Sequence, residues 1–182
     1  MKVFISGGAK NGKSLHAQGI ARRMARINNK PLYYVATMRP CDDEDKRRIE
    51  RHRQERSGWG FETLEQSESL VELLEKSGVD LDGVFLLDSI TALLANEMFK
   101  ADGTIDFESS KRVAKELKMF IERVGGCVIV SDYIFGDLVP DDPITVEFMK
   151  GLALCDRSGA KSCDVVCEAF LGRLIYYRND EL

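Results

Sequence analysis

The chain has 182 residues, a length that suits one domain with a sizeable core, and we expect residues 1–182 to form that single domain. Hydrophobic residues make up 44% of the chain and charged residues 31%, and the net charge of −4 argues against a nucleic-acid partner. No apolar run is long enough to cross a bilayer, and no signal peptide precedes the first predicted strand, so we expect a cytoplasmic protein without a membrane span.

The first motif with a clear chemical meaning lies near the amino terminus. Residues 7–14 fit G-x-x-x-x-G-K-[ST], the phosphate loop of nucleotide-handling proteins, between a strand predicted at residues 3–5 and a helix predicted at residues 13–27. Glycines let the backbone fold tightly, and amides at the helix start point at an anion. The alternative is a glycine-rich turn that fits by chance. The predicted nucleotide contacts are Gly7, Gly8, Ala9, Lys10, Asn11, Gly12, Lys13 and Ser14.

Two side chains of the loop have specific predicted roles. Lys13 is expected to reach the outer phosphates of a nucleotide, and the Ser14 hydroxyl is expected to ligate Mg²⁺.

Strands and helices are predicted to alternate along the first half of the chain. In the first helix, Ile20, Met24 and Ile27 are expected to form the buried face. A strand is predicted at residues 32–36, a strongly charged helix at 42–56, a short strand at 61–64, and an amphipathic helix at 68–76 capped by Ser67 or a nearby polar residue.

The second half continues the alternation. The apolar run at residues 84–87, which ends in Asp88, predicts a central buried strand. Helices are predicted at 90–99, 107–124 and 144–160, a strand at 127–130, and an edge hairpin of strands at 165–171 and 173–177. The pattern predicts an α/β fold with a mostly parallel sheet, flanking helices and a C-terminal edge hairpin, and its ligands should bind beyond the carboxyl ends of the strands.

Asp88 is the main candidate outside the phosphate loop. A carboxylate at the end of a buried strand can hold Mg²⁺ or its water beside a nucleotide. The alternative is a cap for the following helix, a role that Ser89 and Thr91 also suit.

The five cysteines are odd in number and show no pairing pattern. We expect reduced thiols, and we interpret Cys155, Cys163 and Cys167 as small core residues in preference to a metal site.

Motifs in the first hundred residues follow a characteristic order. After the phosphate loop come Ala36-Thr37, the run R-I-x-x-H-R-x-x-R at residues 48–56, and Asp88-Ser89-Ile90-Thr91 with Asn96. In this combination the chain resembles the bifunctional adenosylcobinamide kinase / adenosylcobinamide-phosphate guanylyltransferase family of cobalamin biosynthesis. The resemblance implies a RecA-like P-loop fold, a homo-oligomer, and the use of adenosylcobinamide, ATP, GTP and Mg²⁺.

The resemblance also implies two reactions and their residues. The family phosphorylates the aminopropanol hydroxyl of adenosylcobinamide and then transfers GMP from GTP through a covalent GMP–histidine, for which the matching residue is His52. Lys13 and His52 are thus the expected catalytic residues. On charge pattern alone, residues 42–56 remain a solvated helix and His52 a surface histidine, while His16 is expected to be structural. The further nucleotide contacts implied are Ala36, Thr37, Met38, Arg53, Gln54, Glu55, Arg56, Glu65 and Asp88, with Ser14 and Asp88 as metal ligands.

The second half departs from the family pattern. Where the family tends to have Asn-Glu after the fifth predicted strand, this chain has Asp132 and Tyr133, and residues 147–151 lack the expected arginines. Two alternatives therefore stay open: an enzyme of this fold with one activity or another acceptor, and a non-enzymatic nucleotide-binding paralogue. An ordinary small-molecule P-loop kinase fits less well, because the chain lacks an arginine-bearing lid late in the sequence.

Overall fold

A computed structural model describes residues 1–40, 43, 47, 50, 53–54, 56–136 and 140–179. Within these residues seven strands form one sheet in the order β3-β2-β4-β5-β1-β6-β7, and every pairing is parallel except that of β6 with β7. The strands are β1 (Lys2–Gly7), β2 (Leu32–Ala36), β3 (Glu62–Glu65), β4 (Val84–Asp88), β5 (Gly126–Val130), β6 (Val165–Phe170) and β7 (Arg173–Asn179).

Helices cover both faces of this sheet, as the alternation of elements predicts. In the described chain α1 packs on one face and the other four named helices pack on the opposite face. The helices are α1 (Lys13–Asn28), α2 (Leu70–Glu75), α3 (Ile90–Met98), α4 (Ser109–Arg123) and α5 (Pro143–Ser162). The antiparallel hairpin of β6 and β7 at the sheet edge is confirmed.

The central strands are apolar because both of their faces are covered. Side chains of β4 alternate between two cores: Phe85 and Leu87 contact the layer of α2 to α5, whereas Leu86 faces α1. All five residues of β5 are buried. This continuous burial is why these strands appear in the sequence as unbroken apolar runs.

Two local predictions need correction. Ile27 does not lie on the buried face of α1, because 68% of it is exposed, and that face consists of Ala17, Ala21, Met24 and Ala25. The small side chains of these alanines let α1 approach the sheet closely. Because alanine is common on both faces of helices, the helical spacing of residues did not show which alanines are buried. Helix α2 begins at Leu70, two residues later than predicted, and its cap is Ser69, a polar residue near Ser67 as predicted; the Ser69 hydroxyl oxygen accepts a hydrogen bond from the amide of Glu72.

The cysteines of the described chain are core residues. Cys127, Cys155, Cys163 and Cys167 are buried free thiols, and burial raises the pKa of Cys155 to about 12 and that of Cys167 to about 11. Among the residues that the structure describes, no group of three or more His, Cys, Asp or Glu side chains is placed to hold a metal ion. No helix in the described ranges is long and apolar enough to cross a membrane.

Candidate functional site

Parallel register brings the predicted site elements to one edge of the sheet. Ala36, the last residue of β2, pairs with Glu65 on one side and with Asp88 on the other. Asp88 pairs with Val130 at the end of β5, and Val130 pairs with Ile5 just before the phosphate loop. The predicted convergence at the carboxyl ends of the strands is therefore confirmed for these segments.

The phosphate loop connects β1 directly to α1. Its first glycine lies against the neighbouring strand, because a Cβ built on Gly7 would be 2.6 Å from the carbonyl oxygen of Ala169. Gly12 has a φ of 82°, in the left-handed region, and occupies the N-cap position of α1. Since glycine offers no side chain to cap the helix, the first amides of α1 remain available for an anion.

Lys13 lies at the inner end of this loop. The residue is only 7% exposed, and its ammonium group donates a hydrogen bond to the carbonyl oxygen of Gly8 at 2.7 Å. The same group forms an ion pair with Oδ1 of Asp132 at 2.9 Å. The positive charge is thus fixed beside the loop amides, as an ammonium that binds the outer phosphates of a nucleotide must be.

Asp88 is part of a polar contact that the sequence did not predict. The phenol of Tyr34 donates a hydrogen bond to Oδ2 of Asp88 at 3.1 Å. The guanidinium carbon of Arg56 lies 3.4 Å from the centre of the Tyr34 ring, in a cation–π contact. Burial, followed by the charge of Asp88, raises the pKa of Tyr34, so the phenol stays protonated and keeps donating.

The alternative role of Asp88 as a helix cap is filled by its neighbour. Ser89 is the N-cap of α3, and its hydroxyl oxygen accepts from the amide of Ala92 at 3.3 Å. The Asp88 carboxylate therefore does not cap α3. It is half-buried at the end of β4, at the same edge of the sheet as the phosphate loop.

Thr37 has a different environment from the one expected of a ligand contact. It is fully buried, its hydroxyl accepts from the amide of Ser89 at 2.8 Å, and the same hydroxyl donates to the carbonyl oxygen of Ser89 at 2.9 Å. The side chain therefore joins the ends of β2 and β4. Its neighbours Ala36 and Met38 are half-buried at the same edge.

Asn96 joins the loops that follow β2 and β3. Its side-chain amide donates to the carbonyl oxygen of Thr37 at 2.7 Å and to that of Ser67 at 2.9 Å. Asn96 was noted in the sequence only as part of a family pattern, and the structure gives it a positioning role.

Replacing Asn96 by alanine should lower the free energy of unfolding by about 1–3 kcal/mol, because two partly buried carbonyl groups lose their donor. Urea denaturation followed by circular dichroism measures the change. The matched control is Asn28→Ala, which removes a side-chain amide with a single local bond to Met24. Equal losses for the two variants would contradict the role of Asn96.

The remaining predicted residues lie on or near the segment after β2. His52 and Glu55 are outside the described residues. Arg53 and Gln54 are helical and exposed, and the amide of Gln54 donates to Glu50 at 3.0 Å. Glu65 is exposed at the end of β3. Arg56 contacts the ring of Tyr34, whose phenol hydrogen-bonds to Asp88.

Asp156 on α5 is a further carboxylate near the loop after β5. Its Oδ1 accepts a hydrogen bond from the hydroxyl of Ser131 at 2.6 Å. Burial raises the pKa of Asp156 to about 6, the nearby charge of Asp132 adds to the rise, and Ser131 and Arg157 oppose it. No role was predicted for Asp156 from the sequence, because its contact with Ser131 joins residues 25 positions apart.

This raised pKa predicts a pH dependence of stability. Because the folded-state pKa of about 6 exceeds the ordinary value of 3.8, the folded protein binds the proton more tightly, and stability should fall as pH rises from about 4 to about 6. The loss should be at most roughly 3 kcal/mol. The Asp156→Asn side chain stays neutral, so the stability of this variant relative to the wild type should increase over this pH range. Urea unfolding midpoints at successive pH values measure the difference. Parallel curves for the two proteins would contradict the prediction.

The fold and the site together define the class of the protein. A phosphate loop between a parallel β1 and α1, a buried lysine beside it and a carboxylate at the end of β4 make this a P-loop nucleotide-binding protein of the RecA-like type. The ATPase domain of G40P has a similar structure, with a TM-score of 0.53 at 12% identity over 99% of this chain and 77% of that one.

Sequence comparison gives the family. The model of the family described as cobinamide kinase / cobinamide phosphate guanyltransferase matches residues 3–176, and the chain belongs to this family of enzymes. The chain is 28% identical to the bifunctional adenosylcobalamin biosynthesis protein CobU of Escherichia coli over 158 residues, which cover 81% of this chain and 83% of that protein. It is 27% identical over 159 residues to CobU of Salmonella typhimurium, with the same coverage.

Proposed function

We propose that the protein phosphorylates adenosylcobinamide with a nucleoside triphosphate and then transfers GMP from GTP to the product, which gives adenosylcobinamide-GDP in cobalamin biosynthesis. The observation that carries this proposal is the phosphate loop with its buried Lys13, in a chain that matches the family over residues 3–176. Both reactions need a triphosphate held at a defined place, which this loop offers.

For the kinase reaction, the loop amides and Lys13 would hold the β- and γ-phosphates. The acceptor hydroxyl attacks the γ-phosphorus and releases its proton to solvent, and the nucleoside diphosphate leaves with the electrons of the broken P–O bond. Ser14 and Asp88 supply a hydroxyl and a carboxylate, the hard oxygen ligands that Mg²⁺ prefers, and phosphates and water usually complete its shell. These two residues would hold the ion, which neutralises charge on the phosphates.

For the guanylyl transfer, His52 is the proposed nucleophile. A neutral imidazole attacks the α-phosphorus of GTP and pyrophosphate leaves, after which the phosphate of the acceptor displaces histidine from GMP. Arginine side chains neutralise phosphate charge. We propose nucleotide contacts by Arg53, Gln54, Glu55 and Arg56, by Glu65, and by residues 36–38, where Thr37 would act through its backbone because its hydroxyl is already engaged.

A coupled assay tests the proposal. The protein is incubated with adenosylcobinamide, ATP, GTP and Mg²⁺, and products are separated by chromatography and weighed by mass spectrometry. We expect the phosphate to appear first and the GDP derivative second. A protein that binds GTP but makes neither product would refute the proposed function.

A second candidate is an enzyme of the same fold with one activity or another acceptor. It is favoured by Asp132, which stands where the family tends to have asparagine and which here pairs with Lys13 at 2.9 Å. Formation of only one of the two products would support it. We also propose a single domain, a homo-oligomer and a cytoplasmic location, as expected from the sequence and the resemblance.

A further inference from the structure

A cavity of about 350 Å³ lies on the α5 face of the sheet, beside the phosphate loop. It is bounded by β1, β6 and β7, by α5 and by the loop after β5. The lining residues that matter here are Ser6, Tyr133, Phe135, Asp156, Val166 and Tyr177.

Two backbone connections join the cavity to the phosphate loop. Ser6 lines the cavity and directly precedes Gly7. The amide of Tyr133, whose ring lines the cavity, donates to the carbonyl oxygen of Gly7 at 2.9 Å. The residue before it, Asp132, pairs with Lys13. A molecule in the cavity would thus lie next to a nucleotide held in the loop.

The chemistry of the lining favours a neutral ligand with an apolar stem. Two aromatic rings, those of Tyr133 and Phe135, meet edge to face with centroids 5.6 Å apart. The charged groups of the lining are two carboxylates, Asp156 and Glu168, against one cation, Arg157. Such a charge balance opposes a phosphate and suits a hydroxyl or an amide, which donates to carboxylate oxygens.

The size of the cavity limits what can enter. Since a water molecule takes a share of about 30 Å³ in the liquid, the cavity has room for roughly twelve groups of the size of a water molecule. A short hydroxyl-bearing arm fits this space, whereas a macrocycle would have to remain at the rim. The rim carries half-exposed aromatic side chains, with Tyr133 at 48% and Tyr177 at 68% exposure.

We propose that this cavity is the subsite for the hydroxyl-bearing arm of the acceptor, with Asp156 as a hydrogen-bond acceptor for the arm. The inference rests on the proposed kinase reaction, since it assigns a place to that reaction's second substrate. The Tyr133 side chain would then line the acceptor subsite.

Filling the cavity tests the inference. Val166 on β6 lines it, and Val166→Phe should obstruct it. Val146→Phe is the matched control, because Val146 is half-buried on α5 and is not among the described lining residues. Dissociation constants of adenosylcobinamide and of GTP are measured by equilibrium dialysis. We expect Val166→Phe to raise the dissociation constant of adenosylcobinamide at least roughly tenfold and to change that of GTP by no more than about twofold. The control variant should change neither constant.

A second variant guards against a folding defect in the first. Tyr133→Ala removes a half-exposed aromatic ring from the lining and adds no bulk to the core. It should also weaken the binding of the acceptor and leave the binding of GTP unchanged. Folded variants that bind adenosylcobinamide as the wild type does would overturn the inference, and so would a loss of GTP affinity in place of acceptor affinity.

Turnover separates this inference from the proposed function. Phosphorylation of adenosylcobinamide with an unchanged KM in Val166→Phe would overturn the subsite and leave the function standing. Selective loss of acceptor binding without any turnover by the wild type would support the subsite and refute the proposed kinase reaction. A wild-type protein that neither binds nor phosphorylates adenosylcobinamide would overturn both.

Discussion

Replacing Lys13 by alanine is expected to reduce phosphoryl transfer by at least a hundredfold. The ammonium group is held beside the loop by the Gly8 carbonyl oxygen and the Asp132 carboxylate, at 2.7 and 2.9 Å. A fixed charge of this kind stabilises the charge that develops on transferred phosphate, and loss of one such donor typically costs about 10²–10³ in rate. Initial rates with adenosylcobinamide and ATP measure the effect.

Two further variants make this result specific. Lys13→Met keeps most of the buried stem, so a folded but inactive Lys13→Met protein assigns the loss to the charge. Lys118→Ala is the matched control, because Lys118 is 59% exposed on α4 and pairs only weakly with Glu122 at 3.7 Å. It should retain wild-type rates. Activity of Lys13→Met near the wild-type level would contradict the role of the lysine.

His52→Ala is expected to remove guanylyl transfer and to spare both nucleotide binding and the phosphorylation of adenosylcobinamide. Alanine offers no nucleophile, so no covalent GMP intermediate forms, whereas the phosphate loop remains unchanged. Conversion of adenosylcobinamide phosphate to the GDP derivative with GTP gives one rate, and the kinase reaction gives the other.

The other histidine of the chain is the natural control for this experiment. His16 lies near the start of α1 and its Nε2 contacts the carbonyl oxygen of Gly172 at 3.1 Å, which links the helix to the edge hairpin. His16→Ala should keep guanylyl transfer. Undiminished transfer by His52→Ala would refute the proposed mechanism.

The centre of the sheet was predictable because β4 and β5 are buried on both faces. Residues 84–87 and 127–130 are unbroken apolar runs, and these runs predicted β4 and β5. The motif at residues 7–14 predicted the positions of β1 and α1. The alternation of strands and helices predicted a mostly parallel sheet, whereas the strand order and register come from the structure. Helix details were less predictable, because Ala17 and Ala21 of α1 contact the sheet while the larger Ile27 does not.

The geometry of the candidate site was predictable where its residues form a contiguous motif. Lys13 was assigned from its place in the loop, but its pairing with Asp132 joins residues 119 positions apart along the chain and no local signal marks it. The same holds for the contact between Tyr34 and Asp88. For Thr37 the motif was present but did not predict the contact that the structure shows. Its side chain hydrogen-bonds to the backbone of Ser89 within the core.

Asp132 and Tyr133, the departures from the family pattern, occupy the junction between the loop and the cavity. One contacts Lys13 and the other lines the proposed acceptor subsite. A change in acceptor preference relative to other family members would therefore be expected to originate here, whereas the phosphate loop itself carries the full motif.

Intact-protein mass spectrometry after incubation with GTP and Mg²⁺, followed by peptide mapping, tests the central claim most directly. We predict an acid-labile GMP adduct on the peptide that contains His52. A protein that binds GTP yet carries no adduct would contradict the guanylyltransferase mechanism.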